Sequence, residues 1–478
     1  MEFNSYAFII LFSITILFYN ILKGNYRKYI LLLASAVFIG YYHLAFLAVA
    51  IGLSTLTYFG AKLISCAKTE KRQSLWFNIS VILNLLALGG FKYIVFIQDN
   101  ILQLIGGFGL DLPPLVNKVF LPLGISFYVF QSISYLIEVY WEEQEVEENY
   151  FDFMLYMLFF MKFISGPIER PQDFLPQIKS KYTFNYYQVV SGLQLIGIGL
   201  FKKLVIADRL APYLNDIFSS VHNYSGAQLV MATFIYPIQL YADFSGYTDM
   251  AIGGARIFGF ELSPNFNRPF IAKTITDFWR RWHMSLSFWV RDYIYEPLAA
   301  SRRAWRQWGV MYALVITFVL LGLWHGASWN FIIYGLIQGV VVCYEMKTSR
   351  IRNKLDKRFP KLFGIYSILR TYILFSLSLL FFRIEKFSDV IYMFKHSVDG
   401  ISTSFKELNL GMNDHNIIIF FSALLLIFVF EYFQDKSDIL SKLSKKHIII
   451  RWTAYYCLAF IILLCGVFDS GDFIYIQF

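Results

Sequence analysis

Residues 279–298 read WRRWHMSLSFWVRDYIYEPL. Arg280, Arg281, Arg291, His283, Asp292 and Glu296 stand there among tryptophans, tyrosines and leucines, in a chain that is otherwise overwhelmingly apolar. A second histidine, His325, lies in LLGLWHGASWNFIIYGLIQG at 320–339, between Gly322 and Gly326. Ionisable side chains inside apolar segments are costly, so each is a functional candidate by default. A neutral imidazole suits proton abstraction, because its unperturbed pKa lies near neutrality and burial disfavours its charged form. The glycines beside His325 are expected to leave room for a group to approach the ring. The remaining histidines, 43, 222, 396, 415 and 447, fall at segment junctions or in loops and are read as structural or solvent-facing.

These groups need elements to position them. Thr274 or Thr276 can cap a helix beginning near Asp277. On that helix Trp279, His283 and Ser287 line up at steps of four, with Arg280 three residues before His283. One helix would then present an arginine, a histidine and a serine to a common space. An interfacial amphipathic helix whose arginines meet lipid phosphate would account for Arg280, Arg281 and Arg291, but gives no reason for His283. A third polar block, YPIQLYADFSGYTDMAIGGARIFGF at 236–260, places Asp243 and Asp249 in apolar surroundings with glycines that permit close helix approach. The structural expectation there is that Asp243 caps a broken helix and Asp249 pairs with an arginine such as Arg256.

The chain as a whole has 478 residues, 57% hydrophobic and 16% charged, where a soluble protein carries about a quarter charged. Apolar runs stand at 6–22, 44–65, 75–97, 119–138, 189–207, 229–255, 309–323, 330–346, 364–382, 416–433 and 452–468, with shorter ones at 29–42 and 151–166. The expectation is an all-α polytopic membrane protein of roughly 11 to 13 membrane segments. Backbone groups in lipid must satisfy one another, and the runs lack the alternation of barrel strands. The run 6–22 follows MEFNS, which has no basic residue, and is expected to be a retained helix rather than a cleaved leader.

The formal charge of +9 is explained by basic loops at 301–308, 347–361 and 436–451, cytoplasmic under the positive-inside rule, rather than by nucleic acid. Four scattered cysteines show no metal spacing, so neither a metal nor a disulfide framework is expected. The acidic run 138–152 reads as a solvated loop. Gly166, Pro167, Pro171 and Pro176 are expected to prevent a regular helix over 162–178. The stretch 100–115 reads as an amphipathic interfacial segment.

LPLGISFYVFQSISYLIEVY, GPIERPQDFLPQI, QLYADFSGYTDMAIGGARIFGFELSPNFNRPF, DFWRRWHMSLSFWVRDYIYEPL, LGLWHGASWNFIIYGLIQG and the terminal FIYIQF together resemble the membrane-bound O-acyltransferases (MBOAT). The likeness is to the bacterial branch of the alginate O-acetylase membrane subunit and the teichoic acid D-alanyl transferase. The resemblance implies a bundle of helices around a central funnel or tunnel, in a single membrane domain. Residues 1–118 would be scaffold, 119–340 the catalytic core and 341–478 closing helices. It makes His325 the essential catalytic residue and His283 the second active-site histidine. Arg280, Arg281, Trp282, Ser287, Trp324, Asp243, Tyr241 and Asn330 would line the substrate path. One departure is EPLAAS at 296–301, where close relatives carry Gly-Gly after the motif.

The implied activity is acyl transfer from a thioester to a hydroxyl at a bacterial inner membrane, with no bound cofactor. The chain's length favours acetyl-CoA as donor and an extracytoplasmic polysaccharide or peptidoglycan as acceptor. A separate extracytoplasmic SGNH-type (AlgJ/AlgX-like) transferase would complete the transfer. The alternative donor is an acyl carrier protein thioester, for D-alanylation of teichoic acid. A transporter or flippase also fits intramembrane charge and broken helices, but no internal repeat supports it.

Overall fold

A computed structural model describes residues 1–108, 112–117, 119–164, 166–224, 226–399 and 410–468. All regular structure among them is helical. Eight helices are long and apolar enough to cross a membrane: Leu44–Ser65, Glu70–Gly106, Tyr186–Ser219, Gln307–His325, Trp329–Arg358, Pro360–Arg383, Asp414–Gln434 and Ile448–Cys465. Each coincides with an apolar run in the sequence. The remaining runs give shorter or more polar elements. Tyr6–Ile21 has 16 residues and Tyr26–Gly40 has 15, a rise of about 24 Å against a hydrocarbon core of about 30 Å. The run 119–138 becomes helical only at Ile125, after Gly124 turns the chain at φ 71°. The run 151–166 is broken at Phe159 into Tyr150–Leu158 and Phe160–Phe163. Ala227–Ile257 has 31 residues but carries Asp243, Asp249 and Arg256. Of the stretch 100–115, residues 100–106 simply finish a long helix, and 109–111 lie outside the described residues, as does the terminal FIYIQF motif.

The contacts divide the chain into two compact units, Met1–Gly192 with Gly254–Ser263, and Leu193–Gly253 with Pro264–Phe478. In the first unit two loop expectations fail, the acidic run because some of its carboxylates are buried and paired, the proline-rich segment because of where its first proline falls. Glu142, Glu143, Glu145 and Glu148 are solvated, but Glu138, Glu147 and Asp152 are buried. Lys179 meets Glu147 at 2.8 Å, and Lys28 meets Asp152 at 2.8 Å. The proline-rich segment does form a helix, Pro171–Lys179, because Pro171 occupies its first position, where no amide hydrogen is needed. Arg256 bonds Glu261 at 2.9 Å and Ser191 at 3.0 Å, so it is not the partner of Asp249.

In the second unit that partner is Lys202. Gly199 and Gly246 allow two helices to cross so closely that a Cβ on either would strike the other's carbonyl oxygen. Just beyond the crossing the first helix widens into a π-helical turn, Phe201–Ala207. There two adjacent lysines diverge. Lys202 Nζ lies 3.0 Å from Asp249 and 2.9 Å from Glu431. Lys203 Nζ lies 2.8 Å from Asp208 and 2.7 Å from Asp243, and all three side chains are at most 3% exposed. Asp243 is therefore an ion-pair partner within a continuous helix, not the cap of a broken one. Asp249 and Arg256 are two turns apart, too far along one helix to meet.

Gly322, Gly326, Gly335 and Gly339 do not leave a vacancy beside His325. A Cβ at Gly322 would meet the Phe331 carbonyl oxygen, at Gly335 the Phe318 carbonyl oxygen, and at Gly326 the Phe331 ring. The glycines seat Gln307–His325 against Trp329–Arg358 backbone to backbone, as small residues do in membrane helix pairs.

Two stability predictions follow from this packing. Lys203→Ala removes the ammonium that both buried carboxylates meet and should cost about 3–5 kcal/mol, read as a lowered melting temperature in detergent. Adding Asp208→Asn and Asp243→Asn should recover part of the loss, and an unchanged melt for the single variant would refute the pairing. Gly335→Ala should cost about 1–3 kcal/mol by overpacking, and a melt matching wild type would show that the helices can separate freely.

Candidate functional site

Two short helices carry the polar block, and the single helix expected from sequence is absent. Thr274 caps Ile275–Trp279, its Oγ1 accepting the Asp277 amide hydrogen at 2.9 Å. The helix then ends, and His283 takes the left-handed conformation, φ 44° and ψ 55°, before Met284–Val290 begins. A non-glycine residue there is strained, and persists only where its surroundings over-determine it. Asn265, itself buried, does so. Its carbonyl oxygen accepts from the Met284 amide at 2.9 Å, and its side chain accepts the Ser285 hydroxyl at 2.7 Å and amide at 3.2 Å. The Asn267 amide donates to the Arg281 carbonyl at 2.9 Å.

The break separates the residues that a continuous helix would align. His283 is fully buried, while Arg280 is exposed. Arg281 bonds Asp277 at 3.0 Å, and Arg291 bonds Asp292 at 2.6 Å. The Ser287 hydroxyl turns back to the Trp282 carbonyl at 3.1 Å. Arginine, histidine and serine thus do not share one helical face.

A buried carboxylate anchors the first short helix. Glu345 accepts the Ile275 amide at 2.9 Å and pairs with Arg370 at 2.8 Å, stabilising a helix start with negative charge. The Trp279 indole donates to Gln338 at 3.0 Å, and Gln338 donates to Ser378 at 2.7 Å. Trp282 stacks on Phe278 at 5.5 Å and lies 5.4 Å from Phe375. His283 is held on one side by the edge of Phe244, with centroids 4.8 Å apart.

Trp324 also stands beside it, 6.2 Å away by centroids. The Trp324 ring in turn lies 4.9 Å from His325. Legs of 6.2 and 4.9 Å place the two imidazole centroids no more than about 11 Å apart. His325 is the last residue of its helix, and Gly326 leaves in extended conformation. Ser328 caps the next helix through the Asn330 amide at 3.3 Å. Phe382 at 5.0 Å and Tyr334 at 6.3 Å also lie beside the His325 ring. Asn330 donates to the carbonyls of Ile384 at 2.7 Å and Glu385 at 3.0 Å, tying two helix ends together. Tyr241 donates to Glu431 at 2.6 Å and lies 6.2 Å from Trp282, linking the Lys202 cluster to the aromatic wall.

The arrangement holds two buried imidazoles beside one indole. His283 lies outside the eight long apolar helices, and burial pushes its imidazole down to about 3. It is neutral at physiological pH, with one nitrogen to donate and one to accept. Sequence reasoning missed Lys202, Lys203, Asn265 and Glu345. The signals were a lysine pair inside GIGLFKKLVIA, an asparagine in the proline-flanked SPNFNRP, and a glutamate ending VVVCYE. The EPLAAS departure continues the helix as Glu296–Ser301, since alanine favours a helix where glycine would end it.

The family model described as MBOAT, membrane-bound O-acyltransferase family, matches residues 31–384. A probable alginate O-acetylase of Azotobacter vinelandii is 38% identical over 348 residues, covering 72% of this chain and 68% of the relative. A peptidoglycan O-acetyltransferase of Helicobacter pylori is 34% identical over 405 residues, covering 79% of this chain and 75% of the relative. A teichoic acid D-alanyltransferase of Bacillus subtilis is 33% identical over 232 residues, covering 47% of this chain and 58% of the relative. A match running through both compact units and relatives of this similarity lead to one conclusion: the chain belongs to the membrane-bound O-acyltransferase family and is a multi-pass membrane O-acyltransferase.

Proposed function

We propose that the chain takes an acetyl group from cytoplasmic acetyl-CoA at the bacterial inner membrane. The acetyl group goes on to hydroxyls of an extracytoplasmic polysaccharide or peptidoglycan, with a separate extracytoplasmic transferase of the SGNH type. The observation that carries this reading is the pair of buried imidazoles across Trp324, in a chain whose relatives include enzymes named for alginate and peptidoglycan O-acetylation. The match from 31 to 384 supports treating the chain as one functional domain. The basic loops at 301–308, 347–361 and 436–451 support a cytoplasmic face for donor entry.

His325 is the general base. Its imidazole accepts the proton of the acceptor hydroxyl as that oxygen attacks the thioester carbonyl carbon. The tetrahedral intermediate collapses with cleavage of the carbon–sulfur bond. The imidazolium returns its proton to the departing thiolate, leaving an ester and a free thiol. His283, neutral and fixed by the Asn265 clamp, donates its N–H to the carbonyl oxygen, where negative charge develops. Trp324 and Trp282 wall the path, with Tyr241, Asp243, Ser287 and Asn330 supporting it. The exposed Arg280, with Arg302, Arg303 and Arg306, attracts donor phosphates, and Arg281 holds the turn.

Purified protein supplied in parallel with labelled acetyl-CoA and with a D-alanyl-loaded carrier tests the donor. Acetyl transfer alone is expected. Transfer from the carrier alone would favour D-alanylation, the activity named for the Bacillus subtilis relative, and labelling by neither donor would contradict both. His325→Ala should lower acyl transfer by about 10²–10⁴-fold with a nearly unchanged melting temperature. Residual activity above about a tenth of wild type would rule out the general-base role.

A further inference from the structure

A cleft of about 520 Å³ lies in the unit formed by Met1–Gly192 and Gly254–Ser263, and uses none of the residues assigned above to acyl transfer. Two loops distant in sequence converge on it, KGNYRK at 23–28 and QIKSKYT at 177–183. Lys23, Arg27, Lys28, Lys179 and Lys181 line it, and no carboxylate does. Two of these cations already have partners, Lys28 in Asp152 and Lys179 in Glu147. Lys23 and Lys181 are exposed, and neither has a carboxylate partner among the described residues. Arg27 is held in place. Its Nε donates to the Tyr19 carbonyl at 2.9 Å, and its guanidinium lies 4.5 Å from the centre of the Tyr182 ring. Tyr19 and Tyr182 meet edge to face at 4.9 Å, giving the cleft an aromatic wall.

The positive-inside rule asks for basic loops on one membrane face. It does not ask two loops to gather like charges around one concavity with an aromatic wall. Cations so arranged repel unless an anion joins them. The helix Tyr26–Gly40 begins at the rim, and its Asn25 side chain makes no capping bond, so its start also favours negative charge. Phosphate oxygens match both a fixed guanidinium and mobile ammonium groups. The volume falls within the range of about 300–1,000 Å³ usual for small-molecule sites.

We propose that this cleft binds a phosphate-bearing small molecule through Lys23, Arg27 and Lys181, against the wall of Tyr19 and Tyr182. The phosphate can belong to an anionic lipid headgroup or to a soluble nucleotide. The proposal stands independently of the acyl-transfer mechanism.

Isothermal titration of the purified full chain with short-chain phosphatidylglycerol and, separately, with adenosine diphosphate tests it. At least one probe should bind wild type, and Lys23→Gln/Lys181→Gln should weaken that probe about tenfold or more, a change of about 1.4 kcal/mol. Binding of the lipid probe alone identifies a headgroup site, and binding of the nucleotide alone a soluble-ligand site. A melt without probe should show the variant folded as wild type, since both lysines are exposed. Lys445→Gln/Lys446→Gln, which removes two exposed charges outside the cleft, should leave binding unchanged. Failure of both probes to bind wild type would overturn the proposal. Undiminished binding by the Lys23/Lys181 variant, or equal weakening by the Lys445/Lys446 variant, would overturn it too.

Discussion

The second unit depends on neutralising charge inside an apolar helix. Lys202 and Lys203 stand in a run that is otherwise hydrophobic, and an unpaired ammonium there would cost several kcal/mol. The crossing at Gly199 and Gly246 brings Asp243 and Asp249 of a second helix within reach. The π-helical turn lets neighbouring lysines serve different carboxylates, a device often found at functional sites. From Asp243 the same helix carries Phe244 to the His283 ring. From Lys202 the chain of contacts runs through Glu431 and Tyr241 to Trp282. The ion clusters thus fix the elements that bear the aromatic wall of the site.

The site also needs a local distortion. The chain turns at His283 rather than continuing as one helix, with the rings of Phe244 and Trp324 beside the imidazole. A left-handed residue makes the corner, and Asn265 and Glu345 hold it from outside the block. Each contributes buried hydrogen bonds to the corner, of the kind that favours one arrangement. Preorganisation of this sort matters for acyl transfer, because charge develops on one oxygen and its stabilising donor must already be in place.

What was legible in the sequence follows from contrast. The long spans stand out because apolar runs of membrane length are rare in any other setting, His325 stands out because imidazoles are rare within them, and His283 stands out by its dense block of polar residues among aromatic ones. The corner at His283 was hidden, since neither glycine nor proline marks it and its cause lies eighteen positions upstream at Asn265. The lysine pair was hidden inside a run judged by its average. Hydropathy also does not register the break at Phe159 or the late start at Ile125. The glycines near His325 were misjudged because an absent side chain is filled by whatever packs closest, here the backbone and ring of Phe331. The acidic loop was misjudged because pairing partners such as Lys28 and Lys179 are remote in sequence.

The central claim is that His283 and His325 form one reaction centre across Trp324. A double-mutant cycle on kcat/KM, with His283→Gln, His325→Gln and the pair, tests it most directly. Groups that act as a unit are grossly non-additive. The account predicts that the double variant is about as slow as His325→Gln alone. Losses that multiply, as for independent distant sites, would contradict it.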